Sequence, residues 1–499
     1  MANYRKHSRE QIELKMMCIN DFVPKDHKAR NIVSIIERLE LTLFNDYYNN
    51  NNGGNTAYPI KELLSILIYA SLEGIYQARK IEKYCHEHII YRYLCCDDPP
   101  DHSTISRFWK RFKSAIEEIL TQTVYIGESQ GLIDYNHVSG DGVRLESMGS
   151  RSKIFNEKSA KRRLEQIEKS VSKLVDKIDK SYALEEKLKL EKKLEHNNNL
   201  KERIENGMKE LSQLKKEIKA DKEKGIKREN TNYFHITEKE AKLVKKRGAF
   251  VSGYNGQALA DSKTNMIVSA ELTSSVVDTF NGKPLLEKSQ KLLGNDRLKN
   301  SKITFDNGFL GDELIEFGLN NDFDLYVSTP LKTKLNEQEL DKRKSKTPTL
   351  TYDKEADVYI CCQDKVLDYK RTSITKGRAY AVYERNCPDC PASSECIKNK
   401  SRKRKQKYRR IISEDIDKKI NKNKNELFVI MQNKMKKEAS QEIYKKRFGN
   451  IEPVFGHIQE HKGFKRFTVW RLSRANAQWL FVCFVHNLYK IMKYSDYGK

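Results

Sequence analysis

Three acids stand where their neighbours leave room for chemistry: Asp141 in "SGDG", Asp306 in "TFDNGF" and Glu452 in "NIEPVFG". Glycines beside Asp141 and Asp306 let a backbone or a phosphate come close. Phosphoryl transfer on nucleic acid needs an attacking oxygen activated and a leaving oxygen stabilised in line. Two divalent ions about 3.5–4 Å apart do both when carboxylates bridge them. Mg²⁺ takes oxygen ligands and keeps several waters, so two or three carboxylates suffice. A lone Asp-Gly pair is ordinary turn chemistry, and Glu452 could simply balance its neighbours. Lys445, Lys446 and Arg447 precede it, and Lys462, Lys465 and Arg466 follow. Composition favours the chemical alternative. Lys plus Arg number 94 against 69 Asp plus Glu, a formal charge of +25, which suits a polyanionic partner.

The cysteines offer a second site. "CPDCPASSEC" sets Cys387, Cys390 and Cys396 with the C-x2-C step of zinc knuckles, and Cys361 or Cys362 in "YICCQDK" could supply the fourth ligand. Cys18, Cys85, Cys95, Cys96 and Cys483 sit in helical or apolar contexts that suit burial, as do His486 and Trp479. The start "MANYRKHSREQ" has no apolar core, so the expected setting is cytoplasmic and reducing, where thiols ligate metals or are buried rather than paired. The longest apolar run, "WLFVCFV", is far short of the ~18 residues a membrane span needs. No "GxxxxGK" phosphate cradle is present.

The elements that must position these groups divide the chain. Residues 1–130 read as short helices, the expected helical DNA-end-binding domain. In "PDHSTISRFWKRF" and its continuation, Ile105, Phe108, Phe112, Ile116 and Ile119 draw one buried face. The opposite face shows Ser103, Thr104, Arg107, Lys110 and Arg111, suited to phosphates or a groove, or simply to solvent. Residues 131–156 open an α/β core with the strand "HVSGDGVRLES". Residues 157–230 form a coiled-coil arm on Leu164, Ile167, Val171, Leu174 and Ile178, then Ile204, Leu211, Leu214 and Ile218. The pattern breaks at "KSYAL" and again at "HNNN", which fits an intrachain antiparallel hairpin or a dimerising arm. Residues 231–330 continue the core as two strands around a polar turn at Asp261 to Asn265, then strand, helix, strand. Acids at the C-terminal ends of such strands are well placed for a ligand. Residues 331–425 read as an insertion with the cysteine cluster and the basic run "RKRKQKYRR", and 426–499 as C-terminal helices of the core. Pro453 fits if Glu452 begins a fresh helix after "FGN".

The ordered set "VSGDG", "ITFDNGF" and "IEPVFGHI", followed by "WLFVCFVHNLYKI", resembles the DDE transposases of bacterial insertion sequences. The likeness is to the insertion-sequence-4-like group and covers nearly the whole chain. "PDHSTISRFWKRF" resembles that group's N-terminal region, and a helical arm after the first aspartate is typical of it. The resemblance implies a ribonuclease-H-like mixed-sheet core, interrupted by the arm and by the cysteine-bearing insertion. It implies Asp141, Asp306 and Glu452 as a triad for two Mg²⁺ or Mn²⁺ ions. Tyr444 and Arg447 match the family's tyrosine and arginine and would position DNA phosphates. The family's lysine seven residues after the glutamate is replaced here by Gln459, with Lys462 almost one turn further on as a substitute. Implied partners are double-stranded DNA, both terminal inverted repeats and target, and a second copy of the chain in a nucleoid-associated homodimer. The implied activity is cut-and-paste transposition. The alternatives are a hydrolytic nuclease of the same fold and a non-catalytic DNA-binding descendant.

Overall fold

A computed structural model describes residues 18–47, 56–223, 229, 231–246, 248–294, 296–328, 351–353, 356, 358–361, 363–375, 378–386, 408–413 and 426–495. The chain divides into two compact units, Met1–Ser328 with Met435–Lys499, and Thr329–Lys434.

Among the described residues, seven α-helices open the first unit: α1 Lys28–Arg38, α2 Thr42–Asn45, α3 Ile60–Leu72, α4 Ala78–Glu87, α5 Ile89–Leu94, α6 His102–Arg111 and α7 Lys113–Ser129. α3 is apolar almost all round and buried from Leu63 to Leu72, as a core helix must be. α6 begins where the Asp101 carboxylate accepts from the Thr104 N–H at 2.6 Å, satisfying an otherwise orphaned donor. The apolar face expected to run along one helix is shared by two. Phe112, at φ −103° and ψ 33°, ends α6 and precedes α7, while Ile105, Phe108, Phe112, Ile116 and Ile119 all stay buried across the bend.

The sheet is built from β1 His137–Glu146, β4 Lys242–Lys246, β5 Ala249–Asp261, β6 Ile267–Thr273, β7 Lys302–Phe305 and β8 Asp324–Val327. Its order is β4-β5-β1-β7-β8, with β6 on the same edge of β5 as β4. β1, β7 and β8 are parallel, whereas β5 runs antiparallel to β1, β4 and β6. Helices α10 Gly282–Leu293, α11 Asp296–Lys299 and α12 Asp312–Asn320 lie between the strands in sequence. α12 links β7 to β8 as the crossover that parallel neighbours require.

Between β1 and β4 the chain departs into α8 Glu157–Lys180 and α9 Leu184–Glu223, footed on the short pair β2 Ile154–Phe155 and β3 Phe234–His235. The pairs Lys215–Glu157, Lys201–Glu168 and Asn197–Ser170 run in opposite directions along the two helices, so they form an antiparallel hairpin. Ala160, Ile167 and Ile204 are its buried centre. The second break expected at "HNNN" is not there: α9 is continuous through it. Each Asn costs a helix under about 1 kcal/mol, and packing along the hairpin outweighs that.

The first unit closes with α14 Glu438–Lys445, α15 Arg447–Asn450, α16 Glu452–Gly456 and α17 Leu472–Tyr494, preceded by α13 Glu426–Lys436 at the boundary of the units. α17 is buried along most of its length and packs on β6, α7, α6 and α3, so the N-terminal helices share a core with the sheet. Asn487 fixes the contact: its side chain accepts from the Ile267 N–H and donates to the Ile267 carbonyl, both at 2.8 Å. Among the described residues no helix is long and apolar enough to cross a membrane.

The second unit holds strands in a stretch where the sequence suggested only charged surface and a cysteine loop. β9 Thr351–Asp353, β10 Val358–Ile360, β11 Val366–Thr375, β12 Arg378–Asn386 and β13 Tyr408–Ser413 make an antiparallel sheet in the order β13-β12-β11-β10-β9. The short apolar run "AYAVY", with its aromatic and β-branched residues, suits such a strand.

Candidate active site

Two acids meet because two parallel strands are in register. β1 and β7 pair from His137 with Lys302 to Gly140 with Phe305, and the next residues are Asp141 and Asp306. Side chains alternate along a strand, so Asp141 shares a face with Ser139 and Val143, opposite Gly140 and Gly142. Gly140 is required: a Cβ there would stand 2.1 Å from a ring carbon of Phe305.

Over the acids lie α14 and α15. Arg447 donates through Nη1 to Asp141 Oδ2 at 2.9 Å, and its Nη2 stands 3.5 Å from Asp306 Oδ1. Tyr444 donates its hydroxyl to the same Asp306 oxygen at 3.2 Å. The Arg447 side chain is 4% exposed, its guanidinium lies 5.8 Å and 5.2 Å from the Tyr444 and Phe448 ring centres, and its Nε has no hydrogen-bond partner among the described residues. Asn450 anchors this segment by donating to Ser139 Oγ at 3.1 Å, and Asn265 donates to the carbonyls of Gly449 and Asn450. Burial pushes the Asp141 carboxyl above its usual range, against the pull of the Arg447 charge and the Gly142 N–H. A desolvated carboxylate with a second acid beside it calls for a cation, and the guanidinium fills that need.

This donor set suits a hard divalent metal. It is all oxygen, paired, and already gathered around one positive charge, as Mg²⁺ or Mn²⁺ requires. Glu452 opens α16 with Pro453 in the first turn, and its side chain is exposed. Among the described residues no three acid, histidine or cysteine side chains converge as a metal cluster.

Arg107, Lys110 and Arg111 are exposed on α6, where Arg107 Nε donates to the Ser103 carbonyl. Lys462 is turned inward: its ammonium donates to the Leu72 carbonyl at 3.2 Å and sits 5.0 Å from the Tyr489 ring centre. Burial lowers its pKa. Gln459 donates to the Arg144 carbonyl at 3.4 Å. Cys361 is a free, half-buried thiol; Cys387, Cys390, Cys396 and Cys362 lie outside the described residues. His486 and Trp479 are buried as expected, and the indole donates to the Gln257 carbonyl at 3.1 Å. Sequence reasoning overlooked Asp278, which lies beneath the acid pair. It carries the signal used for Asp306, an acid shortly after a strand.

Two family models match the chain. One, described as "Transposase domain (DUF772)", covers residues 17–111, and the other, "Transposase DDE domain", covers residues 360–492. The chain is an insertion-sequence DDE transposase. No curated protein matches it. In this transposase the second match takes in Tyr444, Arg447 and Glu452, while Asp141 and Asp306 precede it. The first ends at the last residue of α6.

Proposed function

We propose that this transposase cuts the ends of its element and joins them to target DNA, with Asp141, Asp306 and Glu452 as its metal-binding acids. The observation that carries this is the pairing of Asp141 and Asp306 at one strand edge under Tyr444 and Arg447. A bound divalent ion, or two, would supply Lewis-acid stabilisation of the attacking and leaving oxygens. Asp141 and Asp306 hold the negative charge that recruits it. Arg447, with one N–H unpaired among the described residues, is suited to take a scissile-strand phosphate, and Tyr444 to orient Asp306. Water attacks the phosphodiester at the element's end, releasing a 3′-hydroxyl. That hydroxyl then attacks a target phosphodiester, one P–O bond forming as another breaks. The order β6-β5-β1-β7-β8, with three strands parallel, supports a ribonuclease-H-like core. The exposed basic face of α6 is suited to the DNA ends, and a homodimer would hold two ends at once. Four cysteines including Cys361 would hold a structural zinc in the second unit.

The test is Asp141→Asn, Asp306→Asn and Glu452→Gln on a DNA fragment carrying the element's ends. Each is expected to abolish Mg²⁺-dependent cleavage and strand transfer while DNA-end binding stays near wild type. Near-normal cleavage by one variant removes that residue from the triad. Cleavage without strand transfer by the wild-type protein would make it a hydrolytic nuclease.

A further inference from the structure

We infer that Asp278 is a positioning residue of the active site, bracing the two catalytic aspartates from the opposite face of the sheet. This rests on Asp141 and Asp306 being the metal-binding pair. Asp278 lies in the turn between β6 and α10. Its carboxylate accepts from Arg144 Nη2 at 2.8 Å and Nη1 at 3.2 Å, from Asn255 Nδ2 at 2.7 Å and from Gln257 Nε2 at 3.3 Å. Arg144 stands three residues beyond Asp141 on β1, and Asn255 and Gln257 pair with Arg144 and Gly142 across the ladder. One carboxylate therefore ties β1 to β5 just past Asp141.

Gly142 shows how tight the fit is. It points away from the Asp141 face, and a Cβ there would stand 2.6 Å from Gln257 Nε2, 2.8 Å from Asn255 Oδ1 and 2.9 Å from Asp278 Oδ1. The second glycine of "SGDG" leaves space for this cluster. The same turn reaches the other acid. Thr279, next to Asp278, donates its hydroxyl to the Gly308 carbonyl at 2.9 Å, two residues after Asp306. Asp278 and Thr279 thus hold both acid-bearing segments without touching the acids. Arg144 and Asp278 are each about one-fifth exposed, so the pair is shielded and stronger than a surface ion pair. Groups that orient metal ligands from behind typically cost 10- to 100-fold in metal affinity when removed.

The experiment is Mn²⁺ binding to the full-length protein, followed by the loss of the free-ion paramagnetic resonance signal. Thermal unfolding and DNA-end binding are measured in parallel. Asp278→Ala is expected to weaken Mn²⁺ binding about tenfold or more while DNA-end affinity holds. Asp278→Asn, which keeps an acceptor for Arg144, should recover part of the loss. A folded Asp278→Ala protein with wild-type Mn²⁺ affinity overturns the inference. If that variant does not fold, Thr279→Val deletes only the tie to Gly308 and should weaken Mn²⁺ several-fold; no change there overturns it equally. Asp141→Asn is the control. If Mn²⁺ binding survives that substitution, the acid pair itself is misassigned, a failure distinct from that of Asp278.

Discussion

At the scale of single residues, the proposed catalytic arrangement depends on what is missing beside Asp141. Gly140 makes room for Phe305, and Gly142 for the Asp278 cluster, so the acid sits between two positions that exclude a side chain on the opposite face. Gly140→Ala must push β1 or Phe305 aside, an overpacking expected to cost about 1–3 kcal/mol. Because the displaced strand carries Asp141, cleavage should fall further than DNA-end binding. Thermal unfolding beside a cleavage assay checks both parts; a stable, fully active Gly140→Ala protein would show that Phe305 gives way freely. Arg447 adds the second residue-scale feature. It gives the paired acids a counter-charge without metal, so an ion entering the site must share or displace it.

At the scale of elements, the arm stands on its own small core. Ala160, Ile167 and Ile204 are buried between α8 and α9, with Phe155, Phe234 and Ile236 at its foot. The cross-helix pairs are mostly exposed Lys–Glu contacts, each worth well under 1 kcal/mol, so apolar burial must hold the hairpin. Ile204→Ala is expected to cost about 2–4 kcal/mol. The loss should stay local, because the arm's buried centre is made by α8 and α9 themselves. Hydrogen exchange should speed up along α8 and α9 and stay slow in β1, β5 and β7. Equal acceleration in the sheet would show that arm and sheet unfold together.

At the scale of the whole molecule, buried histidines set the response to acid. Burial, the largest cause at each, lowers His137, His235 and His457 to about 4 and His486 to about 3. Their unfolded value is near 6.5, so below that pH the unfolded chain binds protons that the folded one refuses. Stability is therefore intact above about 6.5 and falls as pH drops towards 4. Asp261 works the other way: burial raises it to about 6, so the folded chain binds a proton there between about 4 and 6. Burial raises the Asp141 and Glu271 carboxyls as well, so the net is fewer than three protons, or under roughly 4 kcal/mol per pH unit. Urea unfolding followed by tryptophan fluorescence should show a lower midpoint at pH 5 than at pH 7. An unchanged midpoint would mean that the histidines are not buried neutral. Trp109, Trp470 and Trp479 all lie in the first unit with these histidines.

The sequence by itself determined what local pattern can encode. Short apolar runs punctuated by turn residues marked β1, β5, β6, β7 and β8, and the 3,4 spacing marked α8 and α9. The strand-end position of Asp306 was legible because a polar "DNGF" follows an apolar run. What only the tertiary structure decided depends on residues far apart in the chain. Asp141 and Asp306 become neighbours through a parallel register that no local pattern specifies. Arg447 turns out to face the acids rather than solvent, because Asn450 and Asn265 seat α15 across β1. The bend at Phe112, the unbroken α9 and the second sheet also follow from packing, which overrides propensities worth less than about 1 kcal/mol per residue. Asp278 was hidden for the same reason. Its role comes from Arg144, Asn255 and Gln257, and those partners are assembled only when β1 and β5 pair.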